Sequence, residues 1–214
     1  IGLSGGSVNA GVLIQPGAGE ARLEGLTISV VGSSSACVRS EASVSTATLS
    51  DSILIGGADG LDTNGANTAW TVTNVQCRGQ GSTGLNVGRR SVVQDCVVRD
   101  VSNGGGNFGY GIFASLDIVV RNCQVFDSSI TGVGPNVGIS AANDCMIDNC
   151  QVRSRGAFGI NLDGSGSTAR NCDVRMEVLG NTAINLNSTL MTVSDNIVYA
   201  PNGTGIQLNA KAKK

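Results

Sequence analysis

The segment Val120-Arg121-Asn122-Cys123-Gln124-Val125 is repeated along the chain. It returns as Ile147-Asp148-Asn149-Cys150-Gln151-Val152 and as Ala169-Arg170-Asn171-Cys172-Asp173-Val174, and it occurs earlier as Val93-Gln94-Asp95-Cys96-Val97-Val98. Weaker copies begin at Leu49, Val72 and Val193, and a degenerate one at Leu23 carries Gly25 at the Asn/Asp place. A second unit precedes each copy: Gly60-Leu61-Asp62, Gly84-Leu85-Asn86, Gly111-Ile112-Phe113, Gly138-Ile139-Ser140, Gly159-Ile160-Asn161, Ala183-Ile184-Asn185 and Gly205-Ile206-Gln207. Its aliphatic residue recurs from Leu61 at steps of 24, 27, 27, 21, 24 and 22 residues. Extrapolated back to Val38 and Val12, this spacing predicts about nine turns of a solenoid.

Each turn holds two short segments of alternating apolar and polar residues, separated by Gly, Asn and Ser. That is a strand signal with corners, and no stretch keeps a helical period. The expected fold is all-β, a right-handed parallel β-helix of about nine coils of 21–27 residues, each stacked ~4.8 Å above the last. It is expected to occupy residues 1–208 as one domain, with residues 209–214 as a short basic tail.

Stacking turns the repeat into vertical files. Val120, Cys123, Val125 and their equivalents should point inward. Asn122, Asn149 and Asn171, with Asp51, Asn74, Asp95 and Asp195, should sit at a bend, where Asn tolerates left-handed backbone and its amide can bond the coils above and below. Cys96, Cys123, Cys150 and Cys172 should form one inward file of small apolar thiols. Parallel Cβ directions disfavour disulfides between them. All seven cysteines are therefore expected reduced, which suits assembly in a reducing cytosol. With no His in the chain and no CxxC spacing, no metal site and no cofactor are expected.

The recurring Gly-Ile-x-Ala/Leu and Asn-Cys-x-Val units resemble the pectate-lyase-like, right-handed β-helix superfamily, over nearly the whole chain. Its members include pectate lyases, polygalacturonases, epimerases, bacterial surface proteins and bacteriophage tailspikes, so the resemblance by itself selects no function.

The composition narrows the choice. The 214 residues carry a net charge of −2, which disfavours a generally basic nucleic-acid binder. Apolar runs are far shorter than the ~20 residues that span a bilayer, so membrane insertion is not expected. The absence of His removes Ser–His–Asp and Cys–His catalysis. Asp59-Gly60-Leu61-Asp62 is similar to the Asp-Gly-hydrophobic-Asp stretch of polygalacturonases. The companion Asp-Asp, Gly-His-Gly and Arg-x-Lys motifs are missing, and only Asp59 and Asp62 carry over. Asp163 is the other candidate acid, four coils or about 19 Å from Asp62. The file Asp62, Asn86, Phe113, Ser140, Asn161, Asn185, Gln207, read as outward, holds one acid and no calcium cage. Asp59, Asp62 and Asp163 are thus the catalytic candidates of a polysaccharide lyase or hydrolase, and the missing partners weigh against that reading.

Two charged files remain. Arg121, Asp148 and Arg170 read as an exposed salt ladder. Immediately after the inward Val, successive coils present Arg78, Arg99, Phe126, Arg153, Arg175 and Tyr199, a stripe of arginines and aromatics. It reads as a solvated face, a subunit interface or a glycan groove, with Asp100, Asp127 and Glu177 as nearby counter-charges. Outward apolar residues at Ile53, Ile55, Val97, Phe113 and Ile197 hint at lateral association, and the glycine-rich excursion at 102–110 with the bulge at 128–136 at a contact site. Neither end shows an evident cap, which reads as a slice of a longer protein or an end covered by a partner. The leading expectation is a structural or receptor-recognition module of a phage virion or cell-surface appendage. It would be located on a virion or extracellular surface, as a homotrimer or with other virion subunits, with surface polysaccharide as its ligand. The third reading is a filament-forming extracellular scaffold.

Overall fold

A computed structural model describes residues 10–15, 19–32, 34–41, 46–63, 68–102, 109–126 and 136–209. Within them the chain forms 25 strands and no helix. The strands lie in three parallel sheets, nine in the first and eight in each of the others. Every strand pairs with the strands one coil away. The fold is a parallel β-solenoid of stacked coils. Among the described residues eight coils have all three strands and Thr204–Leu208 opens another, close to the expected number of about nine.

One coil shows the construction: Gly109–Leu116 in the first sheet, Val119–Arg121 in the second and Gln124–Phe126 in the third. The repeated six-residue segment is therefore two strands, not one. Asn122 breaks it by taking φ 54°, and Asp51, Asn74, Asp95, Asn149, Asn171 and Asp195 do the same at 51–56°, with Gly25 at 66°. Asn and Asp are the residues that enter this region at least cost after Gly. The hydrogen-bond ladder runs through the corner, since the Asn122 amide donates to the Asp148 carbonyl at 3.1 Å and Asp95 to Arg121 at 3.2 Å. Side-chain amides add a partial ladder: Asn74 to Asp51 at 2.7 Å, Asn122 to Asp95 at 3.1 Å and Asn149 to Asn122 at 2.9 Å. Asn171 departs from the expected pattern and donates to Asp148, at 2.9 Å.

A second left-handed corner, between the first and second sheets, escaped the sequence reading. Arg90, Asp117, Asp144 and Leu190 take φ 55–58° there, and Gly166 takes 76°. Its residue types are too mixed to stand out as a repeat.

The registers Val93–Val120–Ile147–Ala169 and Val98–Val125–Val152–Val174 align the inward files, and all of these residues are buried. The glycine of the Gly-Ile unit lies within a first-sheet strand, where an added side chain would meet the third sheet. A Cβ on Gly84, Gly111, Gly138 or Gly159 would lie 2.3–2.4 Å from a valine methyl of the third sheet and 2.5–2.8 Å from a carbonyl oxygen of the next coil. The step of 21–27 residues is absorbed mainly between the third sheet and the first. Arg99 to Gly109 is a long connection, whereas Ser154 to Phe158 is short. Residues 103–108, 127–135 and 210–214 lie outside the described residues, and with them most of the two expected contact loops, Asp127 and the lysine tail.

Candidate recognition surface

The third sheet turns alternate residues outward. Its registers place Arg78, Arg99, Phe126, Arg153, Arg175 and Tyr199 in one vertical file. All but half-buried Phe126 are exposed. The adjacent outward file, also on this face, runs Gln76, Val97, Gln124, Gln151, Asp173 and Ile197.

Phe126 relieves the clash between two of the stacked arginines, while Arg78 and Arg99, and Arg153 and Arg175, remain vertical neighbours. The Arg99 guanidinium sits 5.0 Å from the Phe126 ring centroid and that of Arg153 sits 5.7 Å from it, one coil on either side. The ring's negative face attracts both cations and separates them. Arg175 is held by Asp173 at 3.0 Å. Glu177, expected as a partner of the stripe, instead binds Arg155 at 2.8 Å. Among the described residues Arg78, Arg99 and Arg153 make no ion pair. Around its last members lies an open depression of about 450 Å³ lined by Arg153, Arg175, Met176, Glu177, Tyr199 and Pro201. That volume falls in the range of small-ligand clefts.

The other charged file is only half a salt ladder. Arg170 pairs with Asp148 at 2.9 Å, but Arg121 turns to the Gln94 side-chain oxygen, its Nε at 2.9 Å. The pair is exposed and contributes little to stability.

The acids of the catalytic reading are placed differently. Asp59 and Asp62 end one strand of the first sheet, Asp59–Asp62. Asp62 is 7% exposed; Arg39 reaches it at 3.3 Å and the Asn86 amide donates to it at 3.1 Å. Its oxygens are therefore engaged by protein groups. The file read as outward is in fact largely shielded: Asp62, Ser140, Asn161 and Asn185 are all buried. These short side chains cover one another through amide bonds, such as Asn185 to Asn161 at 2.8 Å. Asp163 accepts from Asn161 at 2.6 Å and from Asn187 at 2.7 Å. It directly follows the strand Phe158–Leu162, which lies four strands from Asp59–Asp62 in the same sheet, so the two acids do not meet on one bond. Among the described residues no group of three or more His, Cys, Asp or Glu could hold a metal ion.

Burial, and then the neighbouring Asp62 carboxylate, push Asp59 up from 3.8 to about 6. The native state therefore holds a proton that the unfolded chain releases between about pH 4 and 6. Stability contributed by protonated Asp59 is present below 3.8 and lost as pH rises toward 6. The shift corresponds to at most about 3 kcal/mol, and roughly half that after allowing for its partial exposure. Asp59→Asn is expected to stabilise the protein at pH 7 by about 1–2 kcal/mol and to flatten its stability between pH 4 and 6. Urea melts at both pH values check this. An unchanged pH slope in the variant would show that Asp59 is not the responsible group.

The four stacked cysteines follow the bend directly and are buried. Each donates to the carbonyl two residues back: Cys96 to Gln94 at 3.1 Å, Cys123 to Arg121 at 3.2 Å, Cys150 to Asp148 at 3.3 Å and Cys172 to Arg170 at 3.1 Å. Ser52 at the same position donates to Ser50 at 2.7 Å, and Val75 fills it without a donor. In the inner coils the position takes Cys, Ser or Val, and a donor there satisfies the corner carbonyl. All seven cysteines are free thiols.

No protein-family model, no curated protein and no solved structure matches the chain. What fold and surface define is a class: a parallel β-solenoid bearing a stripe of arginines and aromatics along one sheet. No helix among the described residues is long and apolar enough to cross a membrane.

Proposed function

We propose that this chain is a recognition module of a virion or a cell-surface appendage, and that its third sheet binds an anionic surface glycan lying along the rod. The observation that carries the reading is the in-register file of four arginines and two aromatics, three of whose arginines lack an ion-pair partner among the described residues. Guanidinium forks bind carboxylates by paired hydrogen bonds, and the exposed ring of Tyr199 offers a face on which a sugar can stack. The file repeats every ~4.8 Å, so an extended polymer meets equivalent groups over several coils. The coil units that resemble tailspike-like β-helices, and buried reduced thiols suited to assembly in a reducing compartment, support the virion or appendage setting. Occupied oxygens on Asp62 weigh against glycan cleavage.

The test is titration with an acidic and a neutral polysaccharide at two salt concentrations. Arg153→Ala is expected to weaken the acidic ligand about tenfold or more, because a charge-assisted pair contributes roughly 1.5–3 kcal/mol. The residual binding should be less salt-sensitive. Equal binding of both polymers, or no effect of Arg153→Ala, overturns the reading. A variant that changes the mass in solution but not glycan binding assigns the stripe to contact between copies, the arrangement a homotrimer would use.

A further inference from the structure

The file Cys96, Cys123, Cys150, Cys172 has a chemistry that the fold alone does not require, since Ser52 and Val75 occupy the same position in earlier coils. Four thiols stand one above another, all buried. Besides the carbonyl two residues back, each faces a second carbonyl on the coil before it: Val72 at 3.8 Å, Val93 and Val120 at 3.7 Å, and Ile147 at 4.0 Å. Each sulfur therefore lies against two carbonyl oxygens, an environment that suits positive charge and disfavours a bare thiolate.

Spacing decides what such a file can bind. Side chains stacked in register repeat at ~4.8 Å. A disulfide needs Cβ atoms within about 3.5–4.5 Å, which this stacking does not supply. A linear sulfur–metal–sulfur unit spans about twice a metal–thiolate bond of ~2.3 Å, or roughly 4.6 Å. Zinc requires four ligands, and among the described residues no three candidate ligands converge. We infer that adjacent members of the file bind thiophilic d10 monocations, Cu⁺ or Ag⁺, in two-coordinate sites that bridge successive coils.

Binding breaks one S–H bond and forms two metal–sulfur contacts. One proton leaves to solvent, while the second thiol keeps its proton and its carbonyl acceptor. The bound unit is then neutral, as a dry core demands. The route in is short, because each cysteine lies one residue from an exposed corner residue: Asp95, Asn122, Asn149 or Asn171.

Silver nitrate titrated into the reduced, folded chain in chloride-free buffer tests this, read by native mass spectrometry, proton release and X-ray absorption. About two ions per chain are expected, each releasing about one proton and each bound to two sulfurs, with the thermal midpoint raised by several degrees. Cys123→Val with Cys172→Val leaves Cys96 and Cys150 two coils apart and should lose both ions. Val is native at the equivalent Val75, so this variant is expected to stay folded, and circular dichroism verifies that. Undiminished binding in the double variant, three or more ligands per ion, or a lowered thermal midpoint on binding each overturns the inference. None of these outcomes bears on the glycan face.

Discussion

Gly138→Ala is expected to destabilise the solenoid by about 3 kcal/mol or more, at the upper end of overpacking costs. The new methyl would lie 2.4 Å from Val152 Cγ1 and 2.5 Å from the Gly159 carbonyl oxygen. The valine can turn, but the carbonyl belongs to the ladder between coils and cannot move without breaking it. In thermal melts the midpoint should fall by roughly 10 °C. Gly205→Ala is the control: its Cβ would meet nothing nearer than Val198 at 3.6 Å, and its midpoint should hardly change. Val152→Ala combined with Gly138→Ala should recover only the valine share of the loss, a coupling that a double-mutant cycle measures. If Gly138→Ala melts like the native chain, the coils are not packed as described.

The second large effect belongs to the bend. Asn149→Val puts a β-branched residue at φ 51°, a region such side chains scarcely enter, and removes the 2.9 Å amide bond to Asn122. A loss of about 2–3 kcal/mol is expected from strain plus one hydrogen bond. Asn149→Gly keeps the backbone and loses only the side-chain bond, so it should cost about 1 kcal/mol or less. Denaturant melts of the pair separate strain from hydrogen bonding. Equal losses would mean that the backbone conformation is not what selects Asn here. Because stacked coils contact only their neighbours, the damage should centre on the coils around Asn149 rather than spread evenly.

These two columns show how much was legible beforehand. The Asn/Asp column could be read because a left-handed corner admits few residue types, so the same letter returns each turn. The glycine column was equally visible, but its reason was not. None of Gly84, Gly111, Gly138 and Gly159 takes a positive φ, and the need for glycine comes from a carbonyl oxygen of the next coil, with a valine methyl of the third sheet crowding the same space. The corner at Arg90, Asp117, Asp144, Gly166 and Leu190 went unseen, because Leu and Arg there carry no turn signature. The Arg stripe was readable as a file. The sandwiching of Phe126 between Arg99 and Arg153, and the pairing of Glu177 with Arg155 rather than with the stripe, were not.

Sequence by itself determined the period, the inward aliphatic and thiol files and the corner of Asn and Asp, because each depends on a residue's position within its own turn. Only the tertiary structure decided that the turn has three strands, that Asp62 and its file are shielded, and which arginines lack an ion pair among the described residues. Those outcomes depend on side chains from different coils and sheets meeting across a few ångströms. A one-dimensional pattern carries the register of such neighbours but not the directions in which long or polar side chains turn once they are stacked.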